Sequence, residues 1–302
     1  MGVEPARTTE VTLSGFEDVE TTKTMSLGEE CWVEAFARSH RGRVREENQD
    51  RFLLESIADW GDSGALVAMV ADGMGGHQGG SQAAQIAVET VYTFLTTTPP
   101  EVRLYEQLQD SFVQADEAIR QRALQDSNLA TMGTTGVAVV CFPGECVHLY
   151  TGDSRLYHFR DGQLLYQTRD HSVVRYLQEE GLLTAEEART HPMRSRLTSS
   201  LGGGVQEKRL VLEPRWSDDT DSHNQPSILG IRQGDLLLLC SDGLCGEVNS
   251  EDLEGWAREH SSSPEDLTRA CVEGALAAGG RDNITVIAIV YRRGPEPAAT
   301  DS

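Results

Sequence analysis

Basic residues are scarce in this chain: 26 Lys and Arg stand against 48 Asp and Glu, a formal net charge of −22. Such a surface repels phosphate backbones and anionic headgroups, so neither nucleic acid nor a membrane surface is the expected partner. Long apolar runs are missing as well. Leu236–Cys240 and residues 284–291 fall far short of the ~20 residues a membrane helix needs. The first residues are polar and acidic and carry no apolar segment of the secretory kind. Cysteine is sparse, six residues with no C-x-x-C pair, which argues against a disulfide framework and for reduced thiols in a cytoplasm. No Cys has an Arg six positions on, and the acidic run Asp218-Asp219-Thr220-Asp221 follows no apolar strand. Phosphocysteine and aspartyl-phosphate chemistry therefore both lack their loops.

What is present describes a globular chain. Its 302 residues are 38% hydrophobic, enough for one large domain or two ordinary ones. Residues 1–30 differ from the rest, with acids at Glu4, Glu10, Glu17, Asp18, Glu20, Glu29 and Glu30 among Thr and Ser. A stretch this polar buries too little to offset its ordering entropy and is expected to be a disordered tail. Within it, Glu20-Thr21-Thr22 resembles the phosphoacceptor stretch of some bacterial forkhead-associated regulators. Residues 294–302 are expected to fray, which leaves 31–293 as the folded domain.

Apolar β-rich runs at Ala65–Ala71, 134–141, 146–151, 228–240 and 284–291 predict buried strands. Residues 156–165 predict a hairpin around Asp161-Gly162. Apolar residues spaced by three and four predict a helix through Ile86 to Leu95 and another from Leu104 to Ala123, with a later pair at 251–260 and Pro264–Ala278. Strand follows strand without β-α-β alternation, so an α+β sandwich of antiparallel sheets with outer helices is expected. Residues 171–204, helical at 179–189, are expected to form a flap, and 213–226 an acidic surface loop.

The chemistry lies where the strands stop. Ala65–Ala71 runs into Asp72-Gly73-Met74-Gly75-Gly76-His77, and Leu236–Cys240 into Ser241-Asp242-Gly243. Asp153 follows Gly152, Asp282 precedes the last strand, and Asp50 precedes the run at 52–54. A Gly beside an Asp lets a carbonyl approach whatever the carboxylate binds. Converging carboxylates repel unless a cation neutralises them, and all-oxygen ligation suits Mg²⁺ or Mn²⁺ rather than zinc. Two such ions sharing an Asp can present a hydroxide to phosphorus. Any one Asp-Gly after a strand is more often a turn than a ligand, so the combination carries the argument.

Six ordered motifs resemble those of the bacterial branch of PPM-type (PP2C-like) protein serine/threonine phosphatases. They are Asn48-Gln49-Asp50, Ala71 through His77, Met132-Gly133-Thr134-Thr135, Gly152-Asp153-Ser154-Arg155, Ser241-Asp242-Gly243-Leu244 and Gly280-Arg281-Asp282-Asn283-Ile284-Thr285, and the resemblance spans about residues 32–293. It implies a four-layer α-β-β-α sandwich and hydrolysis of phosphoserine and phosphothreonine. It implies that Asp72 bridges two Mn²⁺ or Mg²⁺ ions, that Gly73 gives a carbonyl, and that Asp242 and Asp282 complete one shell. Asp50 would support the second ion, Asp153 with Asp242 a third, weaker one, and Arg45 would grip the substrate phosphate.

Two departures from the pattern are visible. Gln49 stands where eukaryotic members often have Glu, which removes a charge from the second site. Met74 replaces a His proposed as general acid, and His77 reads as part of the Gly-rich turn rather than as the proton donor. The implied partners are phosphorylated proteins, a cognate Ser/Thr kinase or its substrates among them, met by a cytoplasmic monomer. Arg41, Arg43, Arg45 and Arg51 are the expected local attraction for them. The rival readings are a partner-switching regulatory phosphatase and a non-catalytic phosphoprotein-binding module, the latter disfavoured by intact Asp72, Asp242 and Asp282.

Overall fold

The computed structural model describes residues 18–28, 31–57, 64–76, 78–98, 103–203, 210–215 and 227–294. In chain order the strands begin with β1 (Val19–Ser26), β2 (Cys31–His40), β3 (Arg51–Ile57), β4 (Ala65–Ala71) and the short β5 (Gly73–Met74). Helices α1 (Gln78–Thr97) and α2 (Leu104–Gln125) follow, then β6 (Gly133–Thr134), β7 (Gly136–Phe142), β8 (Glu145–Thr151), β9 (Arg155–Arg160) and β10 (Gln163–Gln167). The flap region holds α3 (Val173–Glu179), α4 (Ala185–Thr190) and β11 (Leu201–Gly202). The chain closes with β12 (Ile228–Gly230), β13 (Leu236–Cys240), α5 (Asp242–Cys245), α6 (Ser250–Glu259), α7 (Pro264–Ala278) and β14 (Ile284–Arg293).

One sheet runs β1-β2-β14-β13-β9-β10 and a second runs β12-β8-β7-β4-β3, with β11-β6-β5 as a small third. Every described pairing is antiparallel. The continuous apolar strands follow from burial on both faces. In β4, Val67, Met69 and Ala71 pack under α1 and α2, while Leu66, Ala68 and Val70 meet the other sheet. In β14, Val286, Ala288 and Val290 pack under α6 and α7, while Ile287, Ile289 and Tyr291 face inward. Three apolar layers thus separate four structural ones, the α-β-β-α sandwich.

Several expectations need correction. The first 30 residues are not all tail: β1 pairs with β2 from Val19↔Ser39 to Ser26↔Trp32. Its half-buried residues Val19, Thr21, Lys23 and Met25 alternate with exposed ones, and Lys23 reaches Glu55 at 2.6 Å. High acid and Thr content hid that period of two. The phosphoacceptor-like Thr21 and Thr22 therefore lie in a strand. Residues 1–17 and 295–302 lie outside those described. The flap's centre is not one helix, because α3 and α4 are separated at Gly181, whose φ is +70°. The apolar run 228–240 is two strands divided by a turn at Gly234, φ +83°. Glu213 is not on a surface loop; it pairs with Tyr150 of β8 through both backbone bonds. Residues 216–226 are outside those described.

Candidate active site

Strand register brings the acids to one edge. Arg51↔Ala71 pairing of β3 with β4 sets Asp50 beside Asp72, one residue before the first strand and one after the second. Cys240↔Val286 pairing of β13 with β14 brings Asp242, two residues past β13, towards Asp282, two residues before β14. Gly136↔Thr151 pairing of β7 with β8 places the Gly152-Asp153 turn beside Thr135. Thr135 holds the Asp72 backbone: its amide donates to the Asp72 carbonyl at 2.9 Å, and its hydroxyl accepts from the Asp72 N–H at 3.0 Å. The Thr134 hydroxyl donates to the same carbonyl at 2.9 Å.

Electrostatics show that the acids feel one another. Burial, then the charges of Asp50, Asp242, Asp153 and Asp282, holds the Asp72 carboxyl well above the ordinary carboxylate range. Burial pushes Asp50 up to about 7, against hydrogen bonds from Ser241 and Thr285. Burial and the Asp282 charge push Asp242 up to about 6, against a hydrogen bond with Asp72 and the charge of Arg45. Asp153 is raised too, by burial and then by Asp242 and Asp170, with Arg155 opposing.

The donor set fits hard cations. Asp50 Oδ2 accepts from Ser241 Oγ at 2.8 Å, but buried Asp50 Oδ1 and Asp242 Oδ1 have no hydrogen-bond partner. Two orphaned, mutually repelling carboxylate oxygens call for positive charge. Among the described residues, no three His, Cys, Asp or Glu side chains group tightly enough to hold an ion by themselves. Gly73 is required by packing: a Cβ there would lie 2.3 Å from the Gly80 carbonyl oxygen and 2.6 Å from that of Gln49.

The loop between β2 and β3 is pinned by Asn283. Its side chain donates to the carbonyls of Arg41 at 2.8 Å and Glu47 at 2.9 Å, and accepts from the Gln49 N–H at 2.9 Å. Gly42, at φ +83°, sits against Asp282, where a Cβ would come within 2.2 Å of the carbonyl oxygen. Arg45 leaves this loop half-exposed and binds Asp282 Oδ2 at 2.6 Å. Arg51 does not join the surface cations. It is 4% exposed and donates to the carbonyls of Asn48 at 2.9 Å and Asp50 at 2.7 Å, because the first residue of β3 turns inward beneath the loop. His77 lies outside the described residues; Met74, directly after Gly73, is half-buried.

Residues 38–276 match the family model described as protein phosphatase 2C. The chain belongs to that family. It is 33% identical over 253 residues to the serine/threonine protein phosphatase PstP of Mycobacterium tuberculosis, covering 83% of this chain and 43% of that protein. This chain thus spans less than half the length of its mycobacterial relative. It is 31% identical over 259 residues to the serine/threonine phosphatase stp of Listeria welshimeri, covering 83% of this chain and 93% of that protein. A crystal structure of the catalytic domain of a serine/threonine protein phosphatase PstP with two manganese ions superposes with a TM-score of 0.69. Identity there is 28%, over 87% of this chain and 99% of that one. The four-layer sandwich is the fold of these phosphatases. Among the described residues, no helix is long and apolar enough to cross a membrane.

Proposed function

We propose that this chain hydrolyses phosphoserine and phosphothreonine on proteins, with two Mn²⁺ or Mg²⁺ ions as cofactors. The observation that carries the reading is the gathering of Asp50, Asp72, Asp153, Asp242 and Asp282 at one sandwich edge, with Asp50 Oδ1 and Asp242 Oδ1 left without partners. Asp72 and the Gly73 carbonyl would help hold both ions. Asp242 and Asp282 would complete one shell, Asp50 would support the other, and Asp153 with Asp242 would hold a weaker third. When bound, the ions supply an activated water for direct attack on phosphorus, without a phosphoenzyme.

The chain's own groups do the positioning. Thr134 and Thr135 fix the backbone at Asp72, and Ser241 orients Asp50. Arg45, bonded to Asp282, carries a planar fork suited to two phosphate oxygens. Partners would be phosphorylated proteins, a cognate Ser/Thr kinase or its substrates among them, met by a cytoplasmic monomer. The test compares phosphate release from phosphothreonine and phosphotyrosine peptides with Mn²⁺ and with chelator. Mn²⁺-dependent release from the phosphothreonine peptide, silenced by chelator and unaffected by thiol alkylation, is expected. Release that persists in chelator would overturn the reading.

A further inference from the structure

Arg51 is the first residue of β3, and it pairs with Ala71 of β4. Side chains alternate along a strand, so Arg51 shares a face with Leu53 and Ile57, which pack into the apolar layer under α1 and α2. Position 51 is thus a core position by register, yet a guanidinium occupies it, 4% exposed. Its Nη1 donates to the carbonyls of Asn48 at 2.9 Å and Asp50 at 2.7 Å, and its Nε donates to Gln85 Oε1 of α1 at 3.1 Å. Gln85 is held in turn, its Nε2 donating to Glu89 Oε1 at 2.7 Å.

These three acceptors are neutral oxygens. A neutral amide could donate to a carbonyl as well, so hydrogen bonding alone does not call for a full charge where burying one is costly. Burial works against the charged form of Arg51, and the charges of Glu47 and Asp50 work for it. Asp50, next to it in sequence and fully buried, feels the charges of Asp242 and Asp282. Asp72 directly follows Ala71, the β4 partner of Arg51. The guanidinium therefore stands behind carboxylates that repel one another. Arg45 also serves this edge, but from an exposed position on a loop, whereas Arg51 is enclosed and fixed by its three bonds.

We propose that Arg51 is a positioning residue whose guanidinium is a resident counter-cation behind the acid cluster: it steadies Asp50 and its neighbours while no divalent ion is bound, and it weakens their hold on an ion that arrives. This rests on the reading of the acids as ligands of divalent cations. One guanidinium against five carboxylates leaves the cluster negative, so ions are still drawn in, though less strongly than they would be without it.

The test uses the full-length chain with two variants. Arg51→Gln keeps an amide donor and loses the charge, and Arg51→Lys keeps the charge and loses the fork. Urea midpoints are taken in chelator and in saturating Mn²⁺, and Mn²⁺ binding is measured by calorimetry. In chelator Arg51→Gln should fall further below the wild type than Arg51→Lys does. Saturating Mn²⁺ should remove most of that extra deficit, because bound ions then do the neutralising. By the same linkage Arg51→Gln should bind Mn²⁺ about tenfold more tightly than the wild type, and Arg51→Lys within about twofold of it. Unchanged or weaker Mn²⁺ binding by Arg51→Gln, or equal deficits in both variants with and without Mn²⁺, would overturn the proposal and leave Arg51 a mere brace for the loop. Should Arg51→Gln fail to fold in chelator, Arg51→Lys decides: an affinity within about twofold of the wild type supports the charge role, and a tenfold loss overturns it. A wild type that binds no Mn²⁺ would defeat the two-cation reading, and the comparison of Gln with Lys in chelator would still judge the counter-charge.

Discussion

Asp50 and Asp242 carry raised carboxyl pKa values, and the sign of their effect on stability follows. A carboxyl held above its unfolded value of about 3.9 adds stability that is complete below that value and lost as pH climbs through the folded one. For Asp242 that loss runs from about 4 to about 6, and for Asp50 from about 4 to about 7. Asp235, lowered to about 2 despite burial because Arg160 and His158 bond it, acts in the opposite sense only below pH 4. The metal-free protein should therefore lose thermal stability between pH 4 and pH 8, and saturating Mn²⁺ should remove most of that loss. A midpoint that rises with pH in chelator would show that the acids do not crowd one another. Arg45→Lys should raise KM more than it lowers kcat, since Lys keeps the charge and loses the fork. An unchanged KM would mean that Arg45 serves Asp282 alone. At this scale the sequence exposed the acids, because Asp beside Gly after an apolar run is a local pattern. It did not expose Asn283 or Thr135, whose roles consist of contacts between segments as far as 242 positions apart.

The elements tell a similar story. Strands β4, β7, β8, β13 and β14 were readable because burial on both faces makes them continuously apolar. At the sheet edge, β1 is covered on one face only, so its polar half masked the alternation. Removing residues 1–28 should cost stability, because it strips the pairing of β2 and the Lys23–Glu55 ion pair at 2.6 Å. A truncated protein with an unchanged urea midpoint would contradict the placement of β1. The loop between β2 and β3 makes a sharper case. Asn283→Ala deletes three hydrogen bonds from a side chain that is 5% exposed and leaves loop carbonyls unpaired. A loss of about 1–3 kcal/mol in urea unfolding is expected. Turnover should fall as well, since this loop presents Arg45 and Asp50. Wild-type turnover in that variant would show that the loop is held by its neighbours.

For the whole molecule, the sandwich is a device for collecting acids that would not otherwise share a small volume. The antiparallel registers of three strand pairs set the convergence, and three hydrophobic layers supply the rigidity to hold it. Net charge adds a consequence. At −22, the chain repels a phosphoprotein except near Arg41, Arg43 and Arg45. Raising salt from low ionic strength to 0.15 M, where the Debye length is about 8 Å, should therefore increase kcat/KM for an acidic phosphopeptide. The measurement that bears most directly on the two-cation reading is Mn²⁺ binding by calorimetry beside phosphate release, for wild type, Asp72→Asn and Asp242→Asn. The wild type should bind two Mn²⁺ ions tightly and release phosphate, and each variant should stay folded, lose tight binding and lose nearly all turnover. Variants that keep near wild-type turnover at saturating Mn²⁺ would contradict the account.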